Sequence, residues 1–156
     1  MPNLLFALPC DRVILDQSGN LSIITLIEEV RLQTVGGAAI PKDAASIPWQ
    51  WFVVTQWEQS ASYDSGREFE QRIALIAETG ASLIDLSVGW KFDKPRHRVI
   101  ALVPTMPVGS PGKHRLKIYI REKTDTPKEW KEAGSMPLEI AITSEAAQVP
   151  SDAPKT

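Results

Sequence analysis

The chain has 156 residues, of which 43% are hydrophobic and 23% charged, and its formal net charge at pH 7 is -2. This size and balance are typical of one soluble domain that buries about 70% of its unfolded surface. They exclude the strongly basic composition of many nucleic-acid-binding domains. They also exclude a membrane-spanning helix, since no apolar run approaches about 20 residues. A single cysteine excludes an intramolecular disulfide framework.

The first residues do not predict a secretory signal peptide. No cationic segment follows Met1, and the apolar stretch from Leu4 to Leu8 ends at Pro9. Cys10 lies in an apolar segment, where a buried and unreactive thiol is the usual state. We therefore expect a cytoplasmic protein that has no cofactor and does not engage a membrane.

The first two predicted strands form a hairpin. The apolar segments from Leu4 to Asp16 and from Leu21 to Val30 flank a four-residue turn. Gly19 and Asn20 in this turn tolerate the positive φ of a tight connection. The sequence thus predicts two antiparallel neighbours at the start of the chain.

Six further strands are predicted where apolar or alternating segments lie between clusters of Gly, Pro, Ser and Asp. They are Trp49 to Trp57, Arg67 to Glu78, Ser82 to Val88, His97 to Thr105, Lys113 to Lys123 and Leu138 to Thr143. This regular spacing of strands and turns predicts an all-β fold, a single antiparallel β-sandwich of about eight strands with an immunoglobulin-like or C2-like arrangement. The domain covers residues 1–143, and residues 144–156 are expected to form a flexible, disordered tail.

Short motifs mark the turns and the strand starts in this order. They are Leu8-Pro9-Cys10-Asp11, the Gly19 turn, Leu21-Ser22-Ile23-Ile24, Phe52-Val53-Val54, Gly66-Arg67, the Gly80 turn, Pro111-Gly112 and Pro137-Leu138. Together they resemble a family of bacterial β-sandwich proteins of unknown function, over about residues 4 to 143. The resemblance implies the topology and no catalytic residue. The chain departs from the family pattern at the long stretch from Glu122 to Met136.

Two segments also carry helix signals. Residues 67–78 follow a possible capping box and precede Gly80, but their apolar residues alternate equally well with a period of two. We predict a strand here, partly on the family resemblance. The segment from Thr126 to Gly134 has Pro127 at a possible first helical position, so it predicts a short helix.

The strand from Lys113 to Lys123 has the most informative pattern in the chain. His114, Leu116, Ile118 and Ile120 fall on one face, which predicts a core face. The other face carries the candidate anion-binding or partner-binding residues, which are Arg115, Lys117, Tyr119 and Arg121. Their spacing of about 6.6 Å resembles the phosphate spacing of an extended nucleic-acid strand. Lysine and arginine on a strand equally well serve to prevent edge-to-edge aggregation.

The strand from Trp49 to Trp57 has three tryptophans separated by even numbers of residues. Trp49, Trp51 and Trp57 share one face, which is either a flat aromatic platform for a ligand or a core face. The opposite face has polar residues at its ends, which favours solvent for that face and the core for the tryptophans. Trp49 lies nearest the strand end, so it is the candidate aromatic contact.

The sequence offers little for catalysis or metal binding. It has two histidines, His97 and His114, and no CxxC, HExxH or histidine-rich spacing. His114 is expected to be a buried core residue, although pairing with Cys10 as a nucleophile stays open. We therefore expect a non-catalytic binding or assembly module that engages a protein partner or a second copy of itself. The alternatives are a polyanion or nucleic-acid binder, which is the less favoured partner class, and an unrecognised hydrolase.

Overall fold

A computed structural model describes residues 1–34, 46–60, 66–109, 111–124, 126 and 128–144. Every regular element within these residues is a β-strand, which confirms the all-β class. The strands of the described residues are β1 (Asn3–Leu15), β2 (Leu21–Leu26), β3 (Glu29–Thr34), β4 (Ser46–Ile47), β5 (Trp51–Glu58), β6 (Glu68–Ala77), β7 (Ser82–Lys91), β8 (Arg96–Val103), β9 (Met106–Pro107), β10 (Gly112–Glu122) and β11 (Lys131–Ser144). The predicted tail beyond Ser144 lies outside the described residues.

These strands form two larger sheets and a two-stranded ribbon. The four-stranded sheet has the order β2-β1-β5-β8, the five-stranded sheet has the order β3-β11-β10-β6-β7, and β4 pairs with β9. Strand β3 runs parallel to β11, whereas the other described pairs are antiparallel. The prediction of a purely antiparallel arrangement is therefore wrong at this pair.

The predicted N-terminal hairpin is confirmed. Strands β1 and β2 pair from Cys10 opposite Leu26 to Leu15 opposite Leu21. Asp16 fixes the turn, since its Oδ1 accepts hydrogen bonds of 2.8 Å from the backbone N–H groups of Ser18 and Asn20. The predicted second strand is divided, because the chain leaves β2 at Leu26 and enters the other sheet as β3. The extra strand, together with the short β4 and β9, raises the number of strands above the predicted eight.

Strand β6 confirms the choice of strand over helix for residues 67–78. It is hydrogen-bonded on both sides, to β10 and to β7. Phe69, Gln71, Ile73 and Leu75 are buried at every second position, as the alternation predicts. Gly80 has a φ of 86° in the turn to β7, a conformation that glycine adopts readily.

The prediction of a short helix before Gly134 is wrong. Residues from Lys131 onward belong to β11, and Gly134 lies opposite Ile118 of β10. Pairing with the long strand β10 satisfies a row of backbone groups that a single helical turn would leave unpaired. Pro127 lies outside the described residues.

One hydrophobic core draws side chains from both larger sheets. Buried members include Trp51, Val53, Trp57, Val99 and Ala101 from the four-stranded sheet and Phe69, Ile73, Leu75, Leu116, Ile118, Ile120, Leu138 and Ile140 from the five-stranded sheet. Trp57 and Trp90 approach to 5.7 Å between ring centroids, which joins β5 to β7 across this core. We call the sheet faces that contribute to this core the core faces and the opposite faces the outward faces.

Candidate functional site

The four candidate residues of the basic strand lie together on the outward face of β10. Arg115 is exposed, and Lys117, Tyr119 and Arg121 are half-buried. They alternate with buried side chains that include Leu116 and Ile118. Because β10 lies between β11 and β6, carboxylates of the neighbouring strands can reach these cations.

Two of the cations have carboxylate partners on the neighbouring strands. Lys117 Nζ donates a hydrogen bond of 2.9 Å to Glu132 of β11. This bond raises the pKa of Lys117 above its ordinary value. Arg121 Nε donates a bond of 2.7 Å to Glu70, which lies directly opposite on β6. Each partner already neutralises one cation of the predicted basic face.

The aromatic rings beside this face are already in contact with arginine side chains. The guanidinium group of Arg121 lies 4.2 Å from the centroid of the Trp130 ring. The guanidinium group of Arg72 lies 5.6 Å from the centroid of the Tyr119 ring, and its Nε donates a 2.8 Å bond to Asp85. That bond lowers the pKa of Asp85. Stacking on Tyr119 would therefore compete with a cation that is already in place.

Lys113 and Arg115 differ from their neighbours on β10. Both are exposed, and neither forms an ion pair with another residue in the part of the chain that the structure describes. They line a pocket of about 720 Å³. Glu28, Glu78 and Glu139 line the same pocket, so both cations and carboxylates line it.

Arg96, His97 and Arg98 do not extend the basic face of β10. Strand β8 belongs to the four-stranded sheet and pairs with β5, whereas β10 belongs to the five-stranded sheet. Arg96 Nε donates a 2.9 Å bond to Glu58 on its own sheet. His97 stacks on Trp90 with ring centroids 5.0 Å apart, and burial lowers its pKa.

The tryptophans of β5 belong mainly to the core, as the polar ends of the strand predicted. Trp51 and Trp57 are fully buried. Trp49, which lies just before β5, is half-buried, and its Nε1 donates a 3.3 Å hydrogen bond to Asp11 Oδ1. Trp49 is thus the tryptophan of this group with the most accessible ring, but its N–H group is already satisfied.

Cys10 and His114 are both buried, as predicted. Burial raises the pKa of the Cys10 thiol, and the nearby charge of Asp11 raises it further, so both effects oppose the thiolate form. Among the residues that the structure describes, neither ring nitrogen of His114 has a hydrogen-bond partner. Within the described ranges, no group of three or more His, Cys, Asp and Glu side chains is arranged to hold a metal ion.

A concentration of exposed apolar side chains at the start of the chain was not predicted from the sequence. Among the described residues, eight large hydrophobic side chains are exposed, and seven of them lie in residues 1–26. The most exposed are Ile14, Leu15 and Leu26, at 52%, 57% and 50%. The eighth is Leu102, on β8. The available signal was the apolar character of both faces of β1 and β2, which is typical of strands covered on both sides.

The hairpin of β1 and β2 doubles back over the outward face of the four-stranded sheet. Strand β1 leaves β5 where Cys10 lies opposite Phe52, yet Gly19 in the hairpin turn lines a pocket with Gln56 and Arg98. Gln56 lies about 13 Å from Phe52 along β5, in the direction opposite to the course of β1. Val54, between these two points on the outward face, is fully buried.

Comparisons with known proteins add no relative to this description. No protein-family model matches the chain, and no curated protein matches it. In the residues that the structure describes, no helix is long and apolar enough to cross a membrane.

Proposed function

We propose that this chain is a binding or assembly module and that its contact element is the N-terminal hairpin, β1 and β2. The observation that carries the proposal is the presence of seven of the eight exposed large hydrophobic side chains in residues 1–26. Four of the seven, Ile14, Leu15, Ile24 and Leu26, lie in the paired part of the hairpin. Single exposed hydrophobic residues are normal on protein surfaces, whereas several on one short hairpin favour an interaction surface. A protein partner, including a second copy of the chain, would cover them.

The hairpin is also ordered before it binds. Asp16 accepts two backbone hydrogen bonds within the turn and a third from the side chain of Asn20, each of 2.8 Å. A contact element that is held in place loses less conformational entropy on binding than a flexible loop would. Burying the exposed halves of four leucine or isoleucine side chains would contribute roughly 3–6 kcal/mol.

We further propose that the two larger sheets pack face to face as an immunoglobulin-like β-sandwich of the bacterial family that the motifs resemble. The shared core and the approach of Trp57 to Trp90 support the sandwich. The parallel pairing of β3 with β11 supports an arrangement in which the first part of the chain contributes to both sheets. The hairpin of β1 and β2 would then be an addition over one outward face.

The test compares two single variants that remove an exposed leucine from different parts of the surface. Leu15→Lys changes the hairpin, and Leu102→Lys is the matched control on β8. The immobilised full chain is exposed to a lysate of the cells that make it, and retained proteins are identified by mass spectrometry. We expect Leu15→Lys to reduce retention of a defined protein about tenfold, which corresponds to about 1.4 kcal/mol. Equal retention by both variants and the wild type would contradict the proposal.

Polyanion binding is a second candidate function, supported by Lys113 and Arg115. Both are exposed and free of ion pairs with other described residues, and both line the same pocket. The expected ligand contacts are fewer than the sequence pattern suggested, because Lys117 and Arg121 are held by Glu132 and Glu70. Binding of single-stranded DNA should weaken steeply with added salt and be lost in Lys113→Glu, Arg115→Glu. Affinity that is independent of salt would contradict this role.

A further inference from the structure

Four strands form the edges of the two larger sheets, and β2 differs from the other three. The edge strands are β2 and β8 in the four-stranded sheet and β3 and β7 in the five-stranded sheet. Strands β3, β7 and β8 each contain at least two charged residues, whereas β2, with the sequence LSIITL, contains none. Among the described strands β2 pairs only with β1, on one side.

An uncharged edge of this kind is unusual for a protein that stays monomeric. An edge strand presents unpaired N–H and C=O groups to any other strand, and natural proteins usually protect it with charges, proline or a cover. Strand β2 has high β-propensity, no proline and no charge. Its side chains at Ser22, Ile24 and Leu26 are exposed, so this face of β2 is open to solvent.

We propose that the free edge of β2 pairs antiparallel with β2 of a second copy of this chain, about a two-fold axis. The inference rests on the proposed function of the hairpin and names its partner. In such a pair the same patch meets itself, so every contact between the copies occurs twice. The new backbone hydrogen bonds would join the two hairpins into one four-stranded layer.

The charges of the edges favour β2 over the other edges for this contact. Self-pairing of β8 would bring Arg96 and Arg98 of both copies into one short contact, and the crowding of like charges is destabilising. Self-pairing of β2 brings together only apolar and hydroxyl side chains. Ile24, which is 39% exposed, would gain an apolar neighbour from the second copy.

The contact is short, which sets its expected strength. Thr25 has a φ of 54°, so the extended part of β2 runs from Leu21 to Ile24. Four residues of strand pairing with a few apolar contacts fall below the area of a stable interface. We therefore expect a weak dimer that forms and dissociates with concentration.

Analytical ultracentrifugation of the full chain measures this directly. The mass should rise from 17.3 kDa towards twice that value as the concentration increases. Ile24→Lys places a cation at the edge and should abolish the rise, whereas the matched variant Leu102→Lys on β8 should dimerise like the wild type. A wild-type mass of one chain at every concentration would overturn the proposal, and so would equal loss in both variants.

A crosslinking experiment keeps the test independent of the stability of these variants. Ser22→Cys places a thiol on β2, and Leu102→Cys places the control thiol on β8; the native Cys10 is buried. Under mild oxidation Ser22→Cys should form a disulfide-linked dimer at least tenfold faster than Leu102→Cys. Equal rates would overturn β2 pairing. If the chain stays monomeric but Leu15→Lys still loses a retained protein, the hairpin is a contact element for another protein and only the self-pairing is wrong.

Discussion

A buried polar cluster between the two larger sheets allows a quantitative test of their packing. Thr55 and Trp57 lie on β5, and Gln71 lies on β6 of the other sheet. The Thr55 hydroxyl and the Trp57 indole N–H each donate a 2.7 Å hydrogen bond to Gln71 Oε1. Trp57 also donates to Thr55 Oγ1 at 3.1 Å, and Gln71 Nε2 has no hydrogen-bond partner within the described part of the chain. We consider the replacement of Gln71 by leucine.

The expected effect of Gln71→Leu follows from the groups it leaves unpaired. The Thr55 hydroxyl loses its acceptor and Trp57 keeps only the weaker contact, which together cost about 2–3 kcal/mol. Removal of the unpaired Nε2 group returns about 1 kcal/mol. The free energy of unfolding should therefore fall by about 1–2 kcal/mol. For a chain of this size the Tm should fall by about 3–6 °C.

Urea and thermal unfolding of the single variants provide the assay. Thr55→Val keeps the 2.7 Å hydrogen bond from Trp57 to Gln71, so it should lower the free energy of unfolding by less than Gln71→Leu does, by about 1 kcal/mol. Ser87→Ala, at an exposed position of β7, is the control and should change stability by less than about 0.5 kcal/mol. If Gln71→Leu is as stable as the wild type, the cluster does not join the sheets as described.

Three further predictions concern single residues. Thr25 is a β-branched residue at positive φ, so Thr25→Asn should raise the free energy of unfolding by about 1 kcal/mol in urea unfolding; no gain would show that its backbone is not strained. His114 is buried, and neither ring nitrogen has a hydrogen-bond partner among the described residues, so His114→Leu should raise the free energy of unfolding by about 1–2 kcal/mol and raise the Tm; a lower Tm would show that its ring has a partner. Hydrogen bonds from Asn20, followed by those from Ser18 and Gly19, lower the pKa of Asp16. The charged form thus stabilises the folded state above pH of about 4, and this contribution is lost as the pH falls through the lowered pKa. Asp16→Asn should therefore flatten the acid side of a plot of Tm against pH, and an unchanged slope would contradict the assignment.

The alternation of apolar and polar residues predicted those strands that have one apolar and one polar face. The alternation in β10 and β6 is visible in the sequence because each second residue is apolar, and this signal outweighed the capping residues before β6. The division between β2 and β3 left no such mark, since neither glycine nor proline occurs from Leu21 to Val30. It depends on the positive φ of Thr25 and on the N–H of Ile27, which donates to the carbonyl oxygen of Pro9.

The candidate site too could be predicted only in part from the sequence. Alternation placed Arg115, Lys117, Tyr119 and Arg121 on one face, and they lie there. Their partners depend on register, which a single sequence does not contain: Arg121 meets a carboxylate because Glu70 lies directly opposite on β6. Register also decides which apolar residues stay exposed. Strand composition predicted that β1 and β2 are apolar, but their exposure depends on where the hairpin turns back.

The two candidate surfaces differ in how salt should affect them. Carboxylates of neighbouring strands neutralise two of the four cations on the outward face of β10. Any ligand of the other two, Lys113 and Arg115, must compete with counterions, so added salt weakens its binding. The hairpin surface at Ile14, Leu15 and Ile24 is apolar, so sulfate should strengthen its contacts by favouring burial. A partner that is retained more strongly in sulfate therefore binds the hairpin. A partner released by moderate salt binds the basic face instead, and this distinction holds before the partner is identified.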